Sequence, residues 1–190
     1  LLVWVDARLT LAETYLAQNL PRQALPLLQS CTPFLNRLAP PQQMIVLNNL
    51  ASGYMDSGQP AQALQIFTQA EKIGQRMNNG PRAYGTVLNS LGELHLTLGH
   101  NEEAVRYLRA ALPIRLQTGD RRGEMVTRLN LGCAYGCLKY FKEADQFLNE
   151  AKKMAEEQGD QGVVRDRPEA DRRLRPAVPA GAPPGRARRA

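Results

Sequence analysis

The chain has 190 residues, of which 43% are apolar and 22% charged. This length accommodates one substantial domain, and the composition is that of a globular chain rather than a disordered one. The longest apolar run is LLVWV at the start, which is too short for a membrane span or a signal peptide. Three cysteines without a secretory signal predict thiols in a reducing compartment, and therefore a cytoplasmic location.

The positive charge is concentrated at the C-terminal end of the chain. The net charge is +6, of which residues 163–190 contribute +5 and residues 1–162 contribute +1. A nucleic-acid-binding domain normally carries its basic stripe on the fold itself, so nucleic-acid binding is not expected of residues 1–162. Electrostatic binding of nucleic acid through the arginines of the tail is a weaker alternative.

Four segments of 24 residues align without a gap, and their starts are 39, 41 and 40 residues apart. They comprise residues 8–31, 47–70, 88–111 and 128–151. Such a period is the signature of a repeat architecture, in which each unit is one supersecondary element.

The aligned columns have the spacing of two helices. The first helix carries a leucine, then a small residue, then a ring three positions later; the leucines are Leu11, Leu50, Leu91 and Leu131. The second helix carries residues four and three apart, beginning with Ala24, Ala63, Ala104 and Ala144. Both sets form one apolar stripe on a helix, and their small residues allow close helix packing.

Turn residues separate the two helices of each unit. Gly58 and Gly99 suit a helix C-terminus, and Pro21 and Pro60 suit the first turn of the following helix. Pro26 and Pro113 fall inside second helices, where a missing N–H and a ring clash predict a bend.

These columns resemble the tetratricopeptide repeat, whose first helix reads leucine-small-x-x-Tyr and whose second reads Ala-x3-Phe/Leu-x2-Ala. The period near 40, NLG at 130–132 and GDRRGE at 119–124 are similar to the subclass with longer helices found in rapsyn, kinesin light chain and the Leu-Gly-Asn-repeat adaptors. The resemblance implies an all-α fold, a right-handed superhelix (α-solenoid) of four antiparallel helix pairs. We expect these repeats within residues 2–160, at about 2–37, 42–77, 82–118 and 122–158. The Arg-, Pro- and Ala-rich tail, residues 163–190, is expected to be disordered.

No chemistry of an active site is predicted. Cys133 and Cys137 lie four apart on one helix face, and the remaining cysteine and histidines are in other units, so a four-ligand zinc site is not expected. His95 occupies a column that holds tyrosine elsewhere, and we expect it to be packed and hydrogen-bonded. Because no nucleophile, paired carboxylates or phosphate loop accompany it, we predict a non-enzymatic protein without metal, cofactor or small-molecule substrate.

The resemblance implies a concave groove lined by the first helix of each unit, on the face opposite the leucines. An asparagine amide both donates and accepts, so a row of them can pair with a peptide backbone. Asn49 and Asn130 match the asparagine of NLG, and Thr10 and Glu13 are the positions in the first unit. The candidate groove residues are Asn48, Asn49, Ser52, Asn89, Ser90, Glu93, Asn130 and Cys133.

The predicted function is therefore a scaffold or adaptor that binds a peptide segment of a protein partner. The alternative is a sensor or regulatory portion of a larger multidomain signalling or transcription-regulating protein. The first residue is Leu1 rather than Met, which predicts a fragment, and the abrupt basic tail suggests an alternative exon or a shifted reading frame. Uncapped ends of a repeat array expose apolar surface, which predicts self-association.

Overall fold

The computed structural model describes residues 1–77, 81–157 and 159, and within them the chain forms eight α-helices. The first helices of the four pairs are α1 (Leu2–Ala17), α3 (Pro40–Asp56), α5 (Arg82–Thr97) and α7 (Arg121–Cys137). The second helices are α2 (Pro21–Cys31), α4 (Pro60–Gln75), α6 (Asn101–Gln117) and α8 (Phe141–Glu157). This is the predicted all-α solenoid of four helix pairs. The tail predicted to be disordered, residues 163–190, lies outside the described residues.

The turn within each pair is built in the same way. Gly58 and Gly99 have φ of +73° and +77°, which confirms their place just after a helix C-terminus. Asn19 and Lys139 occupy the same column and take the same left-handed conformation, with φ of 57° and 64°. The turn therefore requires a residue in the left-handed conformation, and in the first and last pairs that residue is not glycine.

The aligned apolar columns form the core between the helices. The second-helix residues Leu28, Phe67 and Leu108 are fully buried, each in a cluster that includes the first-helix leucine of the next pair. Consecutive pairs are therefore joined by a repeated contact from a second helix to the next first helix.

Small residues set the distance between the two helices of a pair. A Cβ added at Gly92 would lie 2.5 Å from Cγ of the fully buried Leu108. Because this leucine has no free space into which to move, the helices of the third pair can approach this closely only with glycine here.

The two prolines inside second helices leave those helices continuous. Pro26 and Pro113 lie inside α2 and α6, and neither interrupts its helix. α2 instead ends at Cys31, where a 3₁₀ helix (Thr32–Arg37) follows. Pro33 lacks an N–H for the next α-helical bond, and the Thr32 hydroxyl donates to the Gln29 carbonyl at 2.8 Å.

Candidate functional site: the inner face of the first helices

The curvature of the solenoid places the first helices on its inner side. α1, α3 and α5 each contact the next first helix, whereas consecutive second helices have almost no contact in the described residues. Helices that touch lie at the smaller radius of a curved stack, so the first helices form the inner face. This is the concave surface on which repeat proteins of this architecture present their binding residues.

The eight predicted groove residues all lie on α3, α5 or α7, but they differ in exposure. Asn48, Asn89 and Ser90 are buried, with 8%, 6% and 8% of their surface exposed. The others are half-buried: Ser52, Asn49, Glu93, Asn130 and Cys133. The predicted row is thus partly enclosed between neighbouring first helices.

Two of the predicted asparagines connect one helix pair to the pair before it. Asn49 Nδ2 donates to Glu13 Oε1 at 2.8 Å, and Asn130 Nδ2 donates to Glu93 Oε1 at 2.8 Å. Both bonds join the same two columns of the repeat, because each glutamate lies five residues, and each asparagine two residues, after the start of its aligned segment. The amides that match the NLG motif therefore hold first helices together.

The bond at Glu93 belongs to a larger polar cluster between α5 and α7. Asn89 donates to Glu93 at 3.2 Å, while its own Oδ1 accepts from Thr127 at 3.0 Å and from Asn130 at 3.3 Å. Burial raises the pKa of Glu93, and the hydrogen bonds from Asn130 and Asn89 oppose that rise. The inner face thus contains a carboxylate whose charge is poorly solvated and which accepts hydrogen bonds from two amides.

The junction between the second and third pairs lacks this connection. Its two columns hold Ser52 and Ser90, and no hydrogen bond joins them in the described part of the chain. The inner face is therefore tied by amide–carboxylate bonds at its two outer junctions and has two small hydroxyl residues at its centre.

An open cleft of about 440 Å³ lies between the inner helices α1, α3 and α5. Its walls include Pro41 and Ile45 of α3 and Pro81 and Ala83 at the start of α5, and Asn48 also lines it. Of the residues that line the cleft, Asn48 and Asn49 were predicted groove residues. The signal that could have indicated the rest is the placement of a proline at the start of both α3 and α5, which gives the cleft rigid apolar walls.

An ion-pair cluster fixes the end of this inner face where α5, α6 and α7 meet. Asp120 caps α7 by accepting from the Gly123 N–H at 3.2 Å, and it also pairs with Arg115 and with Arg82. Burial alone would raise the pKa of Asp120, but the Gly123 N–H and the two guanidinium groups outweigh it and lower the pKa. The GDRRGE segment thus orders three helices around one carboxylate.

The other residues considered for a chemical role are Cys133 and Cys137 on α7 and His95 on α5. Cys133 and Cys137 lie one helical turn apart on α7, and no disulfide joins any of the three cysteines, all of which are described. His95 stacks on Tyr107 with ring centroids 5.3 Å apart. Its buried Nδ1 has no hydrogen-bond partner in the described residues, so the hydrogen bond expected there is absent at this atom.

Neither a metal-ion site nor a membrane-crossing helix occurs in the described residues. Within residues 1–77, 81–157 and 159, no site brings together three or more His, Cys, Asp or Glu side chains in a way that could hold a metal ion. None of the helices in these ranges has both the length and the apolar character needed to cross a bilayer.

Stacked helix pairs with a period near 40 residues and a polar inner face define a helical repeat protein of the solenoid class. Models of the tetratricopeptide repeat match residues 42–117 and 127–158, which together make up more than half of the chain. The chain belongs to the tetratricopeptide repeat family. A comparison with curated protein sequences gave no match.

Solved structures of similar fold include BtubC (BKLC) from P. vanneervenii, with a TM-score of 0.69 and 18% identity over 98% of this chain and 68% of that chain. Repeats assigned to a kinesin light chain of Podosopora anserina align with a TM-score of 0.59 and 20% identity. That alignment covers 81% of this chain and 76% of the Podosopora chain. At these identities the likeness concerns the fold, and it agrees with the resemblance to kinesin light chain noted in the sequence.

Proposed function

We propose that this protein is an interaction scaffold that holds a peptide segment of a protein partner along its inner face. Tetratricopeptide repeats indicate a protein–protein interaction module, and the inner face is where this chain offers hydrogen-bonding side chains beside an open cleft. The observation that carries the proposal is the combination of that cleft with the partly exposed amide and carboxylate groups of α3, α5 and α7.

The binding mode is main-chain recognition combined with apolar contact. The eight candidate residues are its contact surface, but their roles differ. Asn49 and Asn130 also connect first helices through Glu13 and Glu93. A peptide that replaced either of these bonds would also loosen the contact between two first helices, so binding at these amides and the spacing of the first helices can be coupled.

That coupling determines how the proposal is best tested. Replacing the asparagines by alanine removes bonds between helix pairs as well as peptide contacts, so lost binding would have two explanations. Covalent mapping avoids this problem, because it leaves the chain unchanged. The full chain is screened against a library of random dodecapeptides, and the enriched peptides are resynthesised with a photoreactive residue and crosslinked.

The expected result is that peptides are enriched and that their crosslinks fall on α3, α5 and α7. The second helices serve as the internal control, because α4 and α6 offer exposed residues on the outer side of the same pairs, such as Gln65 and Arg109. Crosslinks that fall mainly on these outer helices, or a library without enriched peptides, would show that the inner face is not the binding surface.

A further inference from the structure

The cleft between α1, α3 and α5 contains a polar atom that the fold leaves without a partner. Asn48 is 8% exposed, and its Oδ1 is buried without a hydrogen bond in the described residues. A buried acceptor without a donor costs free energy, and proteins rarely keep one without a reason. Because Asn48 lines an open cleft, a molecule in the cleft can supply the missing donor.

Much of the remaining cleft wall is apolar. Ile45 is 38% exposed although its neighbours on both sides in the sequence are fully buried. It stands in the cleft with Pro41 and Pro81. An exposed branched side chain between two prolines forms a firm apolar surface, which loses water when a second apolar group covers it.

The charged groups at the rim of the cleft already have partners. Glu13 accepts from Asn49 at 2.8 Å, and Arg82 pairs with Asp120 at 2.6 Å. A charged side chain entering the cleft would lose its hydration and would find only groups that are already paired. This favours a neutral occupant over an acidic or a basic one.

We infer that this cleft is the anchor subsite for an extended peptide, which inserts one bulky apolar side chain against Ile45 and donates a main-chain N–H to Asn48 Oδ1. The inference rests on the proposed peptide-binding function and adds the chemistry of the ligand. An extended chain fits because its side chains and N–H groups alternate along the backbone. One residue can therefore fill the apolar cleft while a neighbouring amide reaches the asparagine oxygen.

The test uses dodecapeptides enriched on the full chain and measures their affinities by calorimetry. Enriched peptides should share a bulky apolar residue, and its change to alanine should weaken binding by about tenfold or more. Ile45→Glu should cause a similar loss. Leu98→Glu is the matched control, because Leu98 is 37% exposed and lies outside the cleft, and it should leave affinity unchanged.

The hydrogen bond is tested by a double-mutant cycle. Asn48→Leu and N-methylation of the peptide amide next to the anchor should each weaken binding by about fivefold. Together they should weaken it no more than either change alone, because both remove the same bond. Circular dichroism and thermal unfolding verify that each variant is folded, and Asn48→Leu should not lower stability because it removes an unpaired buried group.

The outcomes separate this inference from the function on which it rests. Two results would overturn the apolar subsite without contradicting peptide binding by the inner face. One is a set of peptides that bind the Ile45→Glu variant as tightly as the wild type, and the other is a set of enriched peptides that share a charged residue instead of an apolar one. Additive effects in the cycle would overturn the Asn48 bond. A chain that binds no peptide in the library would contradict both proposals.

Discussion

At the scale of single residues, several polar groups of the inner face are hydrogen-bonded within the fold, although Asn48 Oδ1 is not. Glu93 illustrates this, because Asn89 and Asn130 both donate to one of its carboxylate oxygens. Burial nevertheless raises the pKa of Glu93. The two amides therefore compensate only part of the cost of placing a charge between α5 and α7.

A consequence for stability follows from the sign of that shift. A carboxyl whose pKa is raised on folding stabilises the fold fully below its unfolded pKa of about 4.3, and this contribution is lost as the pH rises through the folded pKa. Glu93→Gln keeps an oxygen for the two amides and removes the charge. It should raise the free energy of unfolding at pH 8, and the gain should shrink as the pH falls towards about 4.

Chemical denaturation at several pH values measures this effect. Glu13→Gln is the control, because Glu13 is the equivalent residue of the first pair and is exposed; its neutralisation should change stability little. A difference between Glu93→Gln and the wild type that does not vary with pH would contradict the role assigned to the charge of Glu93.

At the scale of elements, the turns show how one backbone geometry is built from different residues. The position after each first helix is left-handed in all four pairs, although it holds Asn19 in the first and Lys139 in the last. Asparagine tolerates this conformation, whereas for lysine it is strained by the close approach of Cβ to the backbone. The last turn is therefore the most strained of the four.

Lys139→Gly should relieve this strain. We expect it to raise the free energy of unfolding by about 0.5–1 kcal/mol, which is the relief of the left-handed conformation less the greater entropy of glycine in the unfolded chain. Lys142→Gly is the matched control, since Lys142 is exposed in the first turn of α8 and should lose about 0.5–1 kcal/mol. Urea titration of both variants measures these changes in the free energy of unfolding. A loss of stability in Lys139→Gly would show that the turn is not strained at Lys139.

At the scale of the whole molecule, one copy of the repeated interface has no second helix packed against it among the described helices. Leu50, Leu91 and Leu131 are at most 4% exposed, and each lies in a cluster with the second helix of the preceding pair. Leu11 occupies the same column on α1 but is 44% exposed. Leu2 and Val3, which also lie on α1, are exposed as well. The described helices thus present an apolar face that is complementary to a second helix.

A second copy of this chain can fill that face by a head-to-tail contact, because α8 presents the half-buried Leu148 in the column of Leu28, Phe67 and Leu108. Such a contact repeats the interface already present between helix pairs, and it is open-ended rather than closed. Light scattering should show a mass that rises with concentration. Leu11→Glu should reduce that rise, whereas Leu116→Glu, on an exposed residue of α6, should not. A monodisperse monomer at all concentrations would refute this.

The sequence by itself determined the period, the helix pairs and most of the core. Leucine, small and ring columns can be read without coordinates because the 3.6-residue turn of a helix repeats them on one face. Gly58 and Gly99 could be placed for a similar local reason, since only a left-handed residue ends these helices. Neither step requires knowledge of which helices are neighbours in space.

Only the tertiary structure decided what the groove residues do. Asn130 and Glu93 are 37 residues apart, and their bond depends on the offset between α5 and α7, which no local pattern encodes. The same holds for the cleft, whose walls come from three helices, and for the unpaired oxygen of Asn48. The sequence could therefore place an asparagine on the inner face, but whether its amide is paired with the fold or free to bind a partner is set by how the helices stack.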